Sequence, residues 1–509
     1  MLKLIKKNRV LLIIGGCLLM ATFFIFDHII VRCFWIDEVL MANALSVPFL
    51  EIYRAGLTGG SEYYPLFYIY TLKFWSIIFG DSELAIRGFS AFFGLILIVF
   101  IYQAGSYIFK SKKVGLWSSF LASTNYFLIW FSTQGRQYTL AALLGLLSYY
   151  FLFKLIRQPQ KSIYIFYISF TLISVYTHPW SSLVSASQFL ALFLFRKDIP
   201  NYLKILLSQI IVVILSIPNI LMTLHLGKIG STSWMDLVGI STLFESFKNL
   251  SFGSSWVYFI FSIIALIFLL EQKYKFKDKK IDYNYKKIIN FSLGLYLLFP
   301  LISALIISQF KPAYVVGRYE MVVLPAFILI LANLFSKIRV RFFLFLIILL
   351  LIIFASKNVI NDRNYVYSLK SNDKEIANSL LNEIKNNDTI IATDLSWSVF
   401  YYYFKHLNNN KDFDLISFPQ EIMNEHPGWK DISEMMKERL RYEKEAEELI
   451  LKLKESKKKE SKIWVLYSSL NPINEILYKE LEQNFDLVNA QEMLELRQPS
   501  WFDKILVFK

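Results

Sequence analysis

Apolar runs close to bilayer thickness recur along this chain, at about residues 10–31, 87–109, 114–131, 138–156, 162–176, 180–195, 203–224, 254–270, 288–308, 320–336 and 341–356. A helix needs roughly 20 such residues to cross the ~30 Å hydrocarbon core. About eleven spans predict a polytopic α-helical membrane protein. The composition agrees: 55% of the 509 residues are hydrophobic and only 18% charged, more apolar surface than a soluble chain of this length can hide. The net charge of +14 then reads as topogenic Lys and Arg in contact with anionic headgroups, and no nucleic-acid partner is expected. Cys17 and Cys33 are the two cysteines, too far apart along one helix to bond, so no disulfide framework is expected.

The start, MLKLIKKNR, precedes an apolar run too long for a signal peptide, and no small-x-small cleavage site follows. It reads as a retained first span with a cytoplasmic N-terminus. The loops then predicted inside carry Lys110, Lys112 and Lys113, then Arg157 and Lys161, then Arg196 and Lys197, then the basic stretch 271–287, then Lys337, Arg339 and Arg341. The outer loops are poorer in both, and one orientation satisfies the whole chain. The segment 65–80 is apolar and aromatic but short, carries Lys73, and reads as a helix lying in the outer interface. A transmembrane domain over 1–356, with outer-loop interfacial helices at about 32–85, is thus followed by an ordinary soluble composition over 357–509. There DTIIATD, FDLISF, KIWVLYS and DKILVFK alternate with helical stretches, which predicts a small extracytoplasmic α/β domain.

In this topology the membrane-proximal polar residues gather on the outer side. Asp37 and Glu38 follow the first span, and Glu62 and Tyr64 precede the interfacial segment. Gln134, Arg136 and Tyr138 lie in STQGRQY, His178 in THPW, and Lys311, Arg318 and Tyr319 in KPAYVVGRYE. A carboxylate beside hydrocarbon needs a partner or a task. Each residue alone has a plain structural reading: Arg and Tyr anchor span ends, His178 caps a turn, Glu62 is solvated, and Asp37 caps a helix. Those readings do not explain why such groups recur on one side.

These residues and their order resemble the GT-C fold membrane glycosyltransferases that use polyprenyl-phosphate sugars. Glycosyltransferase family 39, the protein mannosyltransferases and the bacterial aminoarabinose transferases are the nearest pattern. The likeness runs through IDEV, EYYPLFYIYTLKFW, FGDSELAIRGFSAFFG, GRQYTL and GRYEMVVLP, over roughly residues 30–335. One departure is Tyr63-Tyr64-Pro65-Leu66-Phe67 where the family has His-Pro-Pro-Leu-Tyr. The resemblance implies an enzyme, a hexosyl- or pentosyltransferase, with a polyprenyl-phosphate sugar donor and a glycan, lipid or protein acceptor.

A phosphate ester leaves without a general acid once its charge is balanced, whereas the acceptor hydroxyl needs a base. Asp37 is assigned as that base. Arg136 and Arg318 are assigned to the leaving phosphate, helped by Tyr138, Tyr319 and Lys311. Glu38, Glu62, Tyr64 and His178 are assigned to positioning acceptor or sugar. One base implies inversion, because retention needs a second carboxylate placed as nucleophile. No cofactor is expected; a divalent cation shared by Asp37, Glu62 and His178 is the alternative, though no ligand spacing demands one. A flippase for lipid-linked sugars and a membrane-anchored binding or scaffold protein are the rivals. The first calls for charge within spans and related repeats, and the second has no need of this constellation.

Overall fold

The computed structural model describes residues 8–29, 33–58, 65–228, 235, 237–251, 280–338, 340–367, 373–407, 410–420, 432–456, 461–469, 471–492 and 503–509. The expected span at 254–270 and the site residues Glu62 and Tyr64 lie outside the described residues.

In chain order the elements begin with α1 (Arg9–Ile29), α2 (Ile36–Ala44), α3 (Phe49–Thr58), α4 (Leu66–Phe79), α5 (Glu83–Ile108), α6 (Lys112–Thr124) and α7 (Tyr126–Ser132). There follow α8 (Tyr138–Arg157), α9 (Lys161–Thr177), α10 (Ser181–Leu194), α11 (Tyr202–Lys228), α12 (Ser241–Leu250) and α13 (Lys280–Ser308). A 3-10 turn (Tyr319–Val323) leads into α14 (Leu324–Phe335), and α15 (Arg341–Tyr367) follows. The remainder runs α16 (Asp373–Glu383), β1 (Thr389–Thr393), α17 (Ser396–Leu407), β2 (Asp414–Phe418), α18 (Ile432–Lys437), α19 (Arg439–Ser456), β3 (Ile463–Tyr467), α20 (Pro472–Asn484), β4 (Leu487–Glu492) and β5 (Lys504–Phe508).

Contacts divide the chain into two units: Met1–Val31, Pro65–Leu224 and Met235–Arg363 form the first, and Arg32–Tyr64, His225–Trp234 and Asn364–Lys509 the second. The boundary expected at 357 therefore falls inside a continuous helix, α15, and the loop carrying Asp37 belongs with the C-terminal domain.

In the first unit, six described helices are long and apolar enough to cross a membrane: Arg9–Asp27, Glu83–Ile108, Tyr138–Arg157, Tyr202–Leu226, Tyr285–Ser308 and Phe342–Asn364. The protein is a multi-pass membrane protein. Helix α8 is the most enclosed, with 78% of its apolar stretch buried, against 17% for α15. Helices α5 and α6 meet through Gly105 and Gly115, where a Cβ on Gly115 would stand 2.6 Å from the Tyr102 carbonyl. Small residues permit that approach where no hydrophobic effect drives helices together. The expected span 114–131 is not one helix: it breaks at Asn125 into α6 and α7. The Asn125 Oδ1 accepts the Leu128 N–H at 3.0 Å and its Nδ2 donates to the Leu250 carbonyl at 2.9 Å. An Asn side chain competes with the helix ladder in this way, and a periodicity count does not see it.

Two of the basic residues assigned to the inner side serve helix ends. Arg157 donates to the carbonyls of Tyr107 and Ile108 at 2.5 and 3.0 Å, closing the C-terminus of α5. Lys113 donates to the carbonyl of Ser336 at 2.5 Å, just past α14. Cations there satisfy orphan carbonyls and oppose the negative end of the helix dipole.

The second unit holds a five-stranded sheet of order β2-β1-β3-β5-β4. Strand β1 runs parallel to β2 and β3, and β5 runs antiparallel to β3 and β4. The four strands predicted from apolar runs are present. The fifth, β4 (LVNAQE), was not legible because every residue of this edge strand is exposed and it lacks alternation. Between β2 and β3, Glu438 separates two consecutive helices, α18 and α19.

Candidate active site

In the first unit, three turns carry the candidate donor-binding residues. The first joins α7 to α8. Its Arg136 carbonyl accepts the Ser90 hydroxyl at 2.9 Å, and the Ser90 carbonyl accepts the Thr139 hydroxyl at 2.9 Å, so the turn is braced against α5 from both sides. Tyr138 opens α8 and is buried.

The second turn joins α9 to α10. His178 has extended backbone there and ends α9, since Pro179 follows. Its side chain is buried, and Nδ1 accepts the Trp180 N–H at 3.2 Å. Burial, reinforced by the Arg136 charge, pushes the His178 pKa down to about 3. The ring is therefore neutral, with its proton on Nε2, where it serves as a hydrogen-bond donor and not as a cation.

The third turn precedes α14. Gly317 takes a left-handed φ of +79°, which lets the chain reverse and places Arg318 ahead of the 3-10 turn. Glu320, fully buried, accepts the Gly317 N–H at 2.9 Å and the Ser246 hydroxyl from α12 at 2.8 Å, both on Oε1. The loop is also tied to the second turn by the Trp180 indole N–H, which donates to the Ala313 carbonyl at 3.2 Å.

The aromatic rings close these three turns on one another. His178 lies 5.7 Å from Tyr138 and 5.0 Å from Tyr319, centroid to centroid. Trp180 lies 5.1 Å from Tyr314 and 6.0 Å from Tyr319. Of the residues expected in the site, Tyr138, His178 and Tyr319 are thus in direct contact. Arg136 is close enough to His178 to bear on its titration, and Arg318 adjoins Tyr319 in the chain. The Lys311 side chain is exposed on the same loop. Trp180, Tyr314 and Glu320 were not singled out from the sequence. Glu320 had a signal: it is a carboxylate at the mouth of an apolar span, the argument that picked out Asp37.

Asp37 and Glu38 stand in the second unit, on the first turn of α2. Glu38 is buried and turns back to accept the Trp35 N–H at 3.2 Å, which satisfies an orphan donor at the helix start. Asp37 is half-buried one position earlier. The adjacent carboxylates therefore differ in setting. Among the described residues, no group of three His, Cys, Asp or Glu side chains is arranged to hold a metal ion.

Over residues 64–221 the sequence matches the family described as dolichyl-phosphate-mannose-protein mannosyltransferase. That stretch contains Arg136, Tyr138 and His178. No curated protein matches the chain. The crystal structure of ArnT from Cupriavidus metallidurans in the apo state is similar at a TM-score of 0.60, covering 99% of this chain and 98% of that one at 10% identity. The fold is of the GT-C type. Both units take part in the likeness, since it spans nearly the whole of each chain. The three turns of the first unit hold Arg136, Tyr138, His178, Arg318 and Tyr319, and helix α2 of the second holds Asp37 and Glu38.

Proposed function

We propose that the protein is an inverting glycosyltransferase that moves a sugar from a polyprenyl-phosphate donor to an acceptor hydroxyl. The N-terminus is cytoplasmic, and the C-terminal domain and reaction lie on the outer face of the cytoplasmic membrane. The ring cluster of Tyr138, His178 and Tyr319, with Arg136 and Arg318 on its turns, is the observation that supports this most. A site for a lipid-linked sugar phosphate needs fixed cations for the phosphate and flat apolar walls with polar edges for the sugar, and this cluster offers both.

Asp37 accepts the proton of the acceptor hydroxyl as its oxygen attacks the anomeric carbon. The bond from that carbon to the phosphate oxygen breaks, and the polyprenyl phosphate leaves with both electrons. Arg136 and Arg318 balance the charge that grows on the leaving oxygen, and the Tyr138 and Tyr319 hydroxyls add donors. His178, neutral with a proton on Nε2, donates a hydrogen bond to a sugar or phosphate oxygen. Glu38 is committed to the start of α2 and holds the base-bearing turn. Lys311, exposed, meets headgroups or the lipid phosphate on arrival. Glu62 and Tyr64 stay assigned to acceptor or sugar positioning. Single inversion follows from there being one base.

The test is sugar transfer from undecaprenyl-phosphate-linked mannose and aminoarabinose, radiolabelled in the sugar, by membranes containing wild-type or Asp37→Asn protein at matched expression. Transfer by the wild type with a loss of ~10²–10⁴ in the variant is expected for removal of a general base. Wild-type rates from a folded Asp37→Asn protein would refute the assignment.

A further inference from the structure

The helix that bears Asp37 is fastened at both ends to one helix of the C-terminal domain. At its start, the Phe34 N–H donates to the Tyr403 hydroxyl at 2.6 Å, across 369 residues of chain. Phe34 and Tyr403 are each 1% exposed, so this bond is made away from water. The Phe34 ring also packs on Tyr402, with centroids 5.0 Å apart. At the far end, Asn43 Nδ2 donates to the Ser398 carbonyl at 2.9 Å. Ser398, Tyr402 and Tyr403 all belong to α17, which follows β1 directly.

The base of α17 is itself held. Asp394 links β1 to α17 with a left-handed φ of +52°. Its N–H donates to the Phe418 carbonyl at the end of β2. Its carboxylate accepts Asn471 Nδ2 at 2.7 Å and Asn474 Nδ2 at 2.5 Å, both at the start of α20. A chain of buried contacts thus runs from the sheet through α17 to Phe34, which lies just ahead of α2 and three residues before Asp37.

We propose that Tyr403 is a positioning residue for Asp37, so that the C-terminal domain sets the aim of the base. This rests on the reading of Asp37 as the base. The physical reason lies in the backbone. Phe34 precedes the helix, so its N–H is not part of the helix ladder, and a buried N–H demands an acceptor. Whatever supplies that acceptor fixes where the helix begins. The first turn follows rigidly, because Glu38 closes it on Trp35. A misplacement of about 1 Å at a reacting group is enough to cost ~10²-fold in rate.

The test uses the full-length protein in membranes, with the radiolabelled donors named above. Tyr403→Phe removes one oxygen and keeps the ring. We expect kcat to fall about 10- to 100-fold with donor KM within about twofold. In an Asp37→Asn background the same change should cost nothing further, because Tyr403 acts through Asp37. Hydrogen exchange of the peptide covering residues 34–44 should accelerate in Tyr403→Phe, a readout that needs no turnover. If Tyr403→Phe does not fold, Asn43→Ala tests the other end of α2 with the same cycle. Unchanged turnover in Tyr403→Phe beside an inactive Asp37→Asn overturns the proposal and leaves the base standing. An equal further loss in the double variant overturns it too, since Tyr403 would then act elsewhere. Full activity in Asp37→Asn instead sinks the base reading itself.

Discussion

The Oε1 of Glu320 accepts the backbone N–H of Gly317 at 2.9 Å while also accepting the Ser246 hydroxyl at 2.8 Å. One buried carboxylate oxygen therefore sets the turn from which Arg318 and Tyr319 project. Glu320→Ala strips the acceptor from the buried Ser246 hydroxyl, a cost of ~1–3 kcal/mol, and from the half-buried Gly317 N–H. We expect a lower unfolding temperature and a donor KM raised about tenfold or more. Glu320→Gln keeps an acceptor at Oε1 and should stay within about threefold of wild type. Equal damage from both variants would mean that the charge, not the turn, is what counts.

Gly317 offers a second way into the same turn. An added Cβ would meet no atom closer than Asn249 Nδ2 at 3.6 Å, so space is not the obstacle. The left-handed φ is, at ~1–2 kcal/mol for a residue with a side chain. Gly317→Ala should lower stability by about that amount, whereas Gly317→Asn, better suited to this conformation, should lose less. Thermal unfolding of the two purified variants decides it.

His178 gives a pH prediction with a definite sign. Its folded pKa is pushed down to about 3, well below the ~6.5 of an unfolded imidazole. The unfolded chain binds the extra proton first, so this contribution is present above pH ~6.5 and fades as the pH falls toward 3. Asn can replace Nδ1 as acceptor for Trp180 without titrating. The loss of unfolding temperature between pH 7 and 4 should therefore be smaller in His178→Asn than in wild type.

Asp394 has the opposite sign. Burial raises its carboxyl pKa to about 6 against the opposing pull of Asn474 and Asn471, whereas the unfolded value is ~3.9. Its contribution is present below pH ~3.9 and is lost as the pH rises through about 6. Asp394→Asn does not titrate, so the stability difference between wild type and variant should change across pH 4–6 and be flat above 7. A difference that is constant from pH 4 to 8 would contradict the shift.

Arg136 and Arg318 should not tolerate lysine. A guanidinium reaches two phosphate oxygens at once, and an ammonium cannot. We expect Arg318→Lys to lose most of the activity lost by Arg318→Ala, ~2 kcal/mol or more of transition-state stabilisation, read from kcat/KM.

The sequence by itself determined what depends on runs and periods. Hydrocarbon thickness is a fixed length, so an apolar stretch such as 138–156 announces a span, and α8 fills it. Strand β3 reads from IWVLY alone because all five residues are buried. Tyr138, His178 and Tyr319 could be picked out because polar groups beside hydrocarbon are costly wherever they fall. The tertiary structure alone decided what depends on one long-range partner. Asn125 breaks a span because its side chain can reach Leu250. The exposed strand β4 exists only because β5 offers it an edge. Glu320 holds the Arg318 turn through Ser246, 74 residues away, and Tyr403 finds Phe34 across 369. A hydrogen bond carries no period, so such pairings leave no trace in the sequence until the chain has folded.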